Sequence, residues 1–277
     1  MSSKPYYYEE SGKVGIMAIF TLLLTGIIGA GVLGVIYSYG TWYIPIIYAN
    51  VFLTAAYGFG MGMVTKFGGK LGKVRNTKIL VLSGLLIGIL AEYIQWVVWL
   101  YIYTPGMIIL NPSDIFELMK QILPIGVWSI GRSQTTVFGA ALAAVWIVEA
   151  IMIIVIPVVV CTFKEVFCED CSRWIDDEKT AKFQITNDIQ GLKLQFEDGN
   201  FQALEELEMY GENYEGPRME LEYCICKDCG QVGYINLEKV DVLINGSETE
   251  EDREDIIENL IINRKNFDDI SEKVLTI

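Results

Sequence analysis

Residues 79–103 read ILVLSGLLIGILAEYIQWVVWLYIY, and Glu92 is the only formally charged side chain in this apolar stretch. The stretch exceeds the roughly 20 residues that an α-helix needs to cross about 30 Å of hydrocarbon. Residues 14–39, 43–64 and 136–160 have the same character. Buried core helices of a soluble protein are the alternative, but a chain of 277 residues does not need four of them. We therefore predict a bundle of four transmembrane helices.

The charge distribution divides the chain into two parts. Residues 1–161 contain nine basic and six acidic residues, for a net charge of +3, whereas residues 162–277 contain 12 and 29, for a net charge of −17. This change predicts a transmembrane domain (1–161) and an acidic cytoplasmic domain (162–277). The chain contains no histidine, which excludes Ser-His-Asp and Cys-His catalysis as well as histidine metal ligands. The acidic balance also argues against nucleic-acid binding, which needs clustered Lys and Arg.

The connection between the second and third predicted spans is basic and contains no acidic residue. Basic residues in short loops stay on the cytoplasmic side. We therefore expect a multi-pass protein of the plasma (inner) membrane with both termini in the cytoplasm. Besides setting this orientation, the loop has two alternative roles, which are docking of the acidic domain and binding of anionic lipid. Its basic residues are Lys66, Lys70, Lys73, Arg75 and Lys78.

The segment between the third and fourth predicted spans indicates a short helix on the outer surface. Asn111 fits an N-cap, Pro112 fits the first turn, and apolar residues follow at helical spacing until Pro124. Gly126 and Trp128 then indicate an aromatic turn, whose role is packing or a ligand lid.

Two acidic residues, Glu92 and Glu149, lie near the middle of the third and fourth spans. A charge at this depth costs roughly 2.5–3.5 kcal/mol on insertion scales, so both side chains should face the bundle and find polar partners. The site is either a hydrogen-bonded clamp between helices or a proton or cation relay. Candidate partners are Gln95, which we include in the intramembrane polar site, and Thr21, Thr25, Asn50, Thr54 and Tyr57.

Small residues recur every four positions on two of the predicted spans. Gly26, Ala30 and Gly34 form such a ridge on the first span, and Gly58 and Gly62 form one on the second. Ridges of this kind let helix backbones approach closely. They predict tight packing within the bundle, with dimerisation as the alternative.

Four of the six cysteines form two Cys-x-x-Cys pairs, Cys168 with Cys171 and Cys226 with Cys229. Thiolates at this spacing form a tight backbone knuckle, and two knuckles complete a tetrahedral four-sulfur site that suits Zn²⁺. Gly230 directly after the second pair supplies a permissive backbone. Because four sulfurs leave no open coordination position, we predict one structural zinc ion per chain.

The double Cys-x-x-Cys pattern over residues 168–236 resembles a zinc ribbon, which implies a small β-rich module. The 172–225 insertion is longer than usual for such modules. A rubredoxin-like iron site and redox-active thiols are the alternatives. The acids Glu169, Asp170 and Asp228 disfavour reactive thiols, because they oppose a thiolate unless a metal is bound. Cys161 and Cys224 are left as spare thiols.

Alternating and helical patterns predict how the acidic domain is built. Strands are expected at 182–185 and 219–225, the second of which delivers Cys226, with helical turns between 189 and 204. Residues 234–244 and 256–262 predict two further strands around a turn at Asn245-Gly246, with the acidic run 248–255 projecting at the tip. A short helix is expected at 266–274.

These patterns predict a multi-domain membrane protein, in which a four-helix transmembrane bundle precedes a cytoplasmic α+β zinc-ribbon-like domain with a helical insertion. No nucleotide-binding, kinase or hydrolase motif occurs, and no catalytic or organic-cofactor residue is predicted. We expect the zinc module to serve protein interaction or regulation, through a protein partner of the acidic domain. Homo-oligomer formation stays open. The alternative is a small oligomeric proton-coupled transporter or channel that uses Glu92 and Glu149.

Overall fold

The computed structural model describes residues 7–44, 46–130, 135–211, 213–245 and 248–275. The chain forms two compact units. The first unit comprises Ser11–Lys164, and the second comprises Glu165–Ile277 together with the start of the chain, of which residues 7–10 are described. The sequence alone places residues 7–10 in the transmembrane domain, whereas in the structure they belong to the acidic unit.

The first unit is helical. Its helices are α1 (Ala18–Tyr43), α2 (Ile47–Leu71), α3 (Thr77–Tyr103), the short α4 (Pro112–Ile122) and α5 (Gly139–Val160). Within the described residues, α1, α3 and α5 are long and apolar enough to cross a membrane. Helix α2 has 25 residues but is less apolar, because Asn50, Thr54 and Lys66 interrupt it. Three of the four predicted spans are thus confirmed as candidate membrane helices. The span predicted at 43–64, which corresponds to α2, stays a proposal.

Helices α1 and α2 extend past the ends that the sequence predicts. Gly40-Thr41-Trp42, predicted as the first loop, lies inside α1. The connection to α2 therefore shifts to residues 44–46, of which Pro45 lies outside the described residues. The basic loop is similarly short, because only residues 72–76 separate α2 from α3. Lys73 and Arg75 lie in this connection, whereas Lys66, Lys70 and Lys78 lie on the adjoining helices.

Small residues allow the long helices to pack closely. A Cβ atom placed on Gly62 of α2 would lie 2.6 Å from Cβ of Val160 on α5. A Cβ atom placed on Gly26 of α1 would lie 2.8 Å from Cδ1 of Ile87 on α3. Packing between helices of one chain therefore accounts for both predicted ridges.

Helix α4 begins as the sequence predicts, because Asn111 Oδ1 accepts a hydrogen bond from Ser113 N at 3.1 Å. Its apolar side buries Ile115 and Ile122 against a cluster of aromatic residues from α3 and α5. The segment that follows is a small hairpin of β1 (Trp128–Ile130) and β2 (Thr135–Val137), rather than the simple turn that we predict. Residues 131–134 of this segment lie outside the described residues.

The second unit is rich in strands. Its elements are β3 (Phe167–Cys168), β4 (Arg173–Trp174), β5 (Lys179–Phe183), α6 (Ile189–Glu197), a 3-10 helix (Phe201–Glu206), β6 (Met209–Tyr210), β7 (Arg218–Ile225), β8 (Gly233–Asn245), β9 (Glu248–Ile262) and α7 (Arg264–Leu275). Five of the strands form an antiparallel sheet in the order β6-β5-β7-β8-β9, and β3 pairs with β4 in a separate hairpin. The predicted strand at 219–225 and the final helix are confirmed, whereas the strand predicted at 182–185 lies a few residues earlier.

The core of the second unit lies on one face of this sheet. Met219, Leu221 and Tyr223 alternate along β7 and are almost completely buried. Helices α6 and α7 cover this face, and they bury Phe196 and Ile270 against it. The apolar residues that alternate along the strands and those that recur at helical spacing therefore form one apolar layer.

The acidic run at 248–255 does not project as a tip. It forms the first half of β9, which pairs with β8 from Asn245↔Glu248 to Glu238↔Asp255. Apolar alternation cannot reveal this part of the strand, because the side chains of residues 250–255 are exposed and charged. Gly246 of the predicted Asn245-Gly246 turn lies outside the described residues, as does Ser247.

Candidate functional site

Two short segments of the second unit bring four cysteines together. Cys168 ends β3, and Cys171 lies in the turn between β3 and β4. Cys226 directly follows β7, and Cys229 precedes β8, so the pairing of β7 with β8 holds the second knuckle in place. The expectation that a strand delivers Cys226 is confirmed.

The four sulfur atoms lie within 4.8 Å of one another, which is close enough to hold a metal ion. Cys168 Sγ and Cys229 Sγ are 3.8 Å apart. Cys168 and Cys226 are each 1% exposed, whereas Cys171 and Cys229 are partly exposed. The cluster therefore has one buried and one more accessible sulfur in each knuckle.

The two knuckles share one backbone feature. The residue after the second cysteine has a positive φ in both, 53° at Ser172 and 61° at Gly230. In the second knuckle, Gly230 N donates to Cys226 O at 2.8 Å. The sequence identifies Gly230 because glycine adopts this conformation freely. It gives no signal for Ser172, which holds the same conformation in the first knuckle.

Backbone N–H groups face the sulfur atoms. The hydrogen bond from Gln231 N is the main cause that lowers the pKa of the Cys229 thiol to about 7. Burial raises the pKa of Cys168, and the N–H of Cys171 opposes that rise. Donors aimed at sulfur favour the thiolate, which is the form that binds metals.

Two ion pairs connect the second knuckle to the segment that follows the first knuckle. Arg173, which follows the first knuckle, donates to Asp228 Oδ1 inside the second knuckle at 2.7 Å. Lys227, also inside the second knuckle, pairs with Asp177. The sequence suggests that Asp228 disfavours a thiolate, but its charge is balanced by Arg173 in the structure.

The remaining two cysteines lie outside the four-sulfur cluster. Cys224 is completely buried in β7, and burial raises its pKa to about 12. Cys161 caps α5 in the first unit. The cluster therefore uses Cys226, which keeps the Cys-x-x-Cys spacing, and both spare thiols are separate from it as predicted.

The arrangement is compatible with the zinc-ribbon-like module that the sequence resembles. Comparisons with protein-family models, with curated proteins and with solved structures found no match. The case for a metal site therefore depends on the four cysteines and on their geometry in this chain.

The start of the chain contributes to the surroundings of the cluster. Tyr8 packs against the small apolar cluster that contains the four cysteines, and its hydroxyl accepts a hydrogen bond from Phe167 N at 3.3 Å. Tyr8 N donates to Asn259 O of β9 at 2.9 Å. Sequence reasoning missed this contact, although the run of three tyrosines at 6–8 is a signal that could have indicated it.

The two acids of the predicted intramembrane site, Glu92 and Glu149, lie near the centres of α3 and α5. Glu92 Oε1 accepts a hydrogen bond from Trp96 Nε1 at 2.8 Å. Glu149 Oε1 lies 3.5 Å from Thr54 Oγ1, which joins α5 to α2. Gln95, predicted for the same site, is buried on α3 three residues after Glu92.

The predicted partners of these acids differ in what they contact. Thr54 contacts Glu149, whereas the hydroxyls of Thr21 and Thr25 bond to carbonyl oxygens of their own helix. Tyr57 donates to Ala91 O, and the carbonyl oxygen of Asn50 accepts a hydrogen bond from Thr54. Trp96 was missed as a partner, although its i, i+4 spacing from Glu92 on α3 is a usable signal.

Proposed function

We propose that this chain is a polytopic integral membrane protein that presents a zinc-stabilised cytoplasmic module for protein interaction. The observation that carries the proposal is the convergence of four cysteine sulfurs within 4.8 Å, in a chain that also holds three helices able to cross a membrane. Four thiolates around one ion leave no position for a substrate. The metal therefore supports the fold of the module, and function resides in the surface that the module presents.

Zinc is the ion that this donor set fits best. A tetrahedron with Zn–S bonds of about 2.3 Å places its sulfurs about 3.8 Å apart. Cys168 and Cys229 have this separation, and the other sulfurs would need only small shifts to reach it. Thiolates without oxygen or nitrogen ligands select zinc or iron among the common metals.

The proposal includes α2 as a fourth transmembrane helix. At 25 residues it is about 37 Å long, which exceeds the roughly 30 Å of a hydrocarbon layer. It packs against α1, α3 and α5. Its buried polar residues Asn50, Thr54 and Thr65 lower its apolarity, but they are not exposed to lipid.

The orientation of the bundle follows from its basic residues. Lys66, Lys70, Lys73, Arg75 and Lys78 all lie in or beside the connection of α2 to α3. A cytoplasmic position of this connection puts the C-terminal unit in the cytoplasm as well. The reducing conditions there keep cysteines available as metal ligands rather than as disulfides.

Strand β9 is the surface that we assign to a partner. It is the last strand of the sheet, and among the described residues only Tyr7 and Tyr8 pair with its outer edge, at Leu260 and Asn259. Its first half exposes Glu250, Asp252 and Glu254. An open edge can accept another strand. The negative charge selects a basic extended segment of a protein partner.

Metal analysis of the full-length protein tests the central part of this proposal. Protein extracted in mild detergent, under reducing conditions and without chelator, should contain about one zinc ion per chain. Iron in place of zinc would overturn the assignment of the metal. If all four cysteines of the folded protein react freely with a thiol reagent, the proposal of a metal site is overturned.

Charge variants test the partner surface separately. Replacing Glu250, Asp252 and Glu254 with Gln, Asn and Gln should abolish binding of an extended Lys-rich peptide to the detergent-extracted protein while leaving its zinc content unchanged. The matched control replaces Glu205, Glu206 and Glu208 with Gln, because these exposed acids lie outside β9. Equal loss of peptide binding in both triple variants would show that only net charge matters.

A further inference from the structure

Two carboxyl groups lie near the middle of their helices in the helical unit. No basic residue lies within several turns of either carboxyl along its own helix. Glu149 of α5 is only 8% exposed, and Glu92 of α3 is partly buried. The basic residues of the four long helices lie in the last two turns of α2 and the first turn of α3. Helices α1 and α5 contain none. No cation within these helices therefore balances a negative charge at their centres.

The hydroxyl groups around Glu149 make more contacts than their protons can supply. Thr54 Oγ1 donates to Asn50 O at 2.7 Å, and a hydroxyl has one proton to donate. The same oxygen lies 3.0 Å from Tyr37 Oη and 3.5 Å from Glu149 Oε1. Tyr37 can donate to only one neighbour. If Glu149 is protonated and donates to Thr54 Oγ1, its proton supplies the donor that the contact between these two side chains lacks.

Glu92 also lacks a hydrogen-bond partner, at its second carboxyl oxygen. Oε1 accepts from Trp96 Nε1, but Oε2 is buried and no hydrogen-bond partner for it exists among the described residues. A buried anionic oxygen without a donor is strongly unfavourable. A proton on Oε2 removes the negative charge and leaves the contact of Oε1 with Trp96 intact.

We propose that Glu92 and Glu149 form a proton-binding site in the middle of the bundle, with both carboxyls held as neutral acids at neutral pH. The other titratable groups that face the pair are Tyr37 of α1 and Tyr57 of α2, whose rings stack 4.9 Å apart. Tyr57 donates its proton to Ala91 O at 3.0 Å and adds no positive charge. The site is independent of the zinc module. Proton binding is the property that the proton-coupled transporter considered from the sequence would require.

Labelling with N,N′-dicyclohexylcarbodiimide tests this site, because the reagent modifies protonated carboxyls in apolar surroundings. The full-length protein is treated in membranes at neutral pH, and its peptides are mapped by mass spectrometry. Adducts are expected on Glu92 and Glu149. Glu117 of α4 is the control, since it is exposed and paired with Lys120, and it should stay unmodified. Each adduct should disappear in the matching variant, E92Q or E149Q, and persist in E117Q.

Two labelling results would overturn the proposal. One is the absence of both adducts in folded protein under conditions in which the unfolded chain is labelled. The other is protection of the carboxyls by added Na⁺ or K⁺, which would identify a metal cation as the ligand. The variants also report on folding, because glutamine has the shape and neutrality of the protonated acid. E149Q and E92Q should therefore keep the thermal stability of the parent protein, and strong destabilisation by either would show that the anionic form holds the bundle.

Discussion

Cys168 Sγ lies 3.8 Å from Cys229 Sγ, although 61 positions separate the two residues in the sequence. Between them run β4, β5, α6, β6 and β7, which make up much of the second unit. Closing a loop of this length costs conformational entropy, although the cost rises only slowly with loop length. A metal ion that binds only the folded cluster would offset this cost and couple the two knuckles to the sheet.

Removal of one ligand should therefore unfold the second unit. Cys226→Ser is expected to lose the zinc ion and to expose residues 165–275 to proteolysis, while the helical unit stays in the membrane because its helices satisfy their own backbone groups. Cys224→Ala is the control, since Cys224 is buried nearby but lies outside the cluster. Zinc content and limited proteolysis of both variants measure the effect. Equal zinc content in the two would contradict the ligand assignment.

Substitutions at the residue that follows each knuckle should change the stability of the module in opposite directions. Ser172→Gly should stabilise the module by up to about 1 kcal/mol, because glycine adopts a φ of 53° without strain. Gly230→Ala should destabilise it by about 1–2 kcal/mol, because the side chain is strained at a φ of 61°. The chelator concentration that removes half of the zinc measures both changes. A shift in the same direction for both variants would show that φ at this position does not govern the stability of the knuckle.

A buried ion-pair network on the sheet gives a third prediction. Arg218 is 3% exposed and donates to Glu220 Oε1 at 2.6 Å and to Glu251 Oε1 at 2.8 Å. Arg218→Met removes this partner from buried Glu220, which keeps only Arg253 at 2.9 Å, so a loss of about 1.5–3 kcal/mol is expected for the lost charged hydrogen bond.

The control for that variant is Arg264→Met on α7. Arg264 pairs with Asp268 at the surface, and such an i, i+4 pair contributes less than about 0.5 kcal/mol. Chemical unfolding of the two variants, followed by the fluorescence of Trp174, compares them. Similar losses would mean that the buried pair is no stronger than the exposed one.

Acid should weaken the same network. Burial alone would raise the pKa of Glu220, but hydrogen bonds from Arg218 and Arg253 reverse this effect and hold its pKa below the ordinary value. Because the pKa is lower in the folded state, the stabilisation is fully present above about pH 4.3 and is lost as the pH falls through the folded value. Below about pH 4, the parent protein should lose unfolding free energy faster than Glu220→Gln. Parallel pH profiles of the two proteins would contradict this role of Glu220.

The sequence predicts the parts of the fold that depend on a repeating pattern. Apolar length identifies α1, α3 and α5, and alternation along β7 places Cys226 at a strand end. The Cys-x-x-Cys spacing predicts the metal cluster because the ligand geometry is local within each knuckle.

The features that the sequence does not reveal depend on contacts between distant segments or on solvent exposure. The position of Tyr8 beside β3 follows from tertiary packing of the chain start. The acidic half of β9 forms a strand because it pairs with β8, although the side chains of residues 250–255 are all exposed. Helix α1 continues through Gly40 and Thr41 because Thr41 is buried in the bundle, which outweighs the weak helix propensity of these residues.

Close helix packing gives the last prediction. Gly62 of α2 faces Val160 of α5 so closely that a Cβ atom at this position would lie 2.6 Å from Cβ of Val160. Gly62→Leu should force the two helices apart and cost about 1–3 kcal/mol. Gly31→Leu on α1 is the matched control, because a Cβ atom there would meet nothing within 4 Å. Thermal unfolding of both variants in the same detergent should show a lower midpoint for Gly62→Leu alone. A normal midpoint for Gly62→Leu would mean that the small residues on α2 are not needed for packing within one chain.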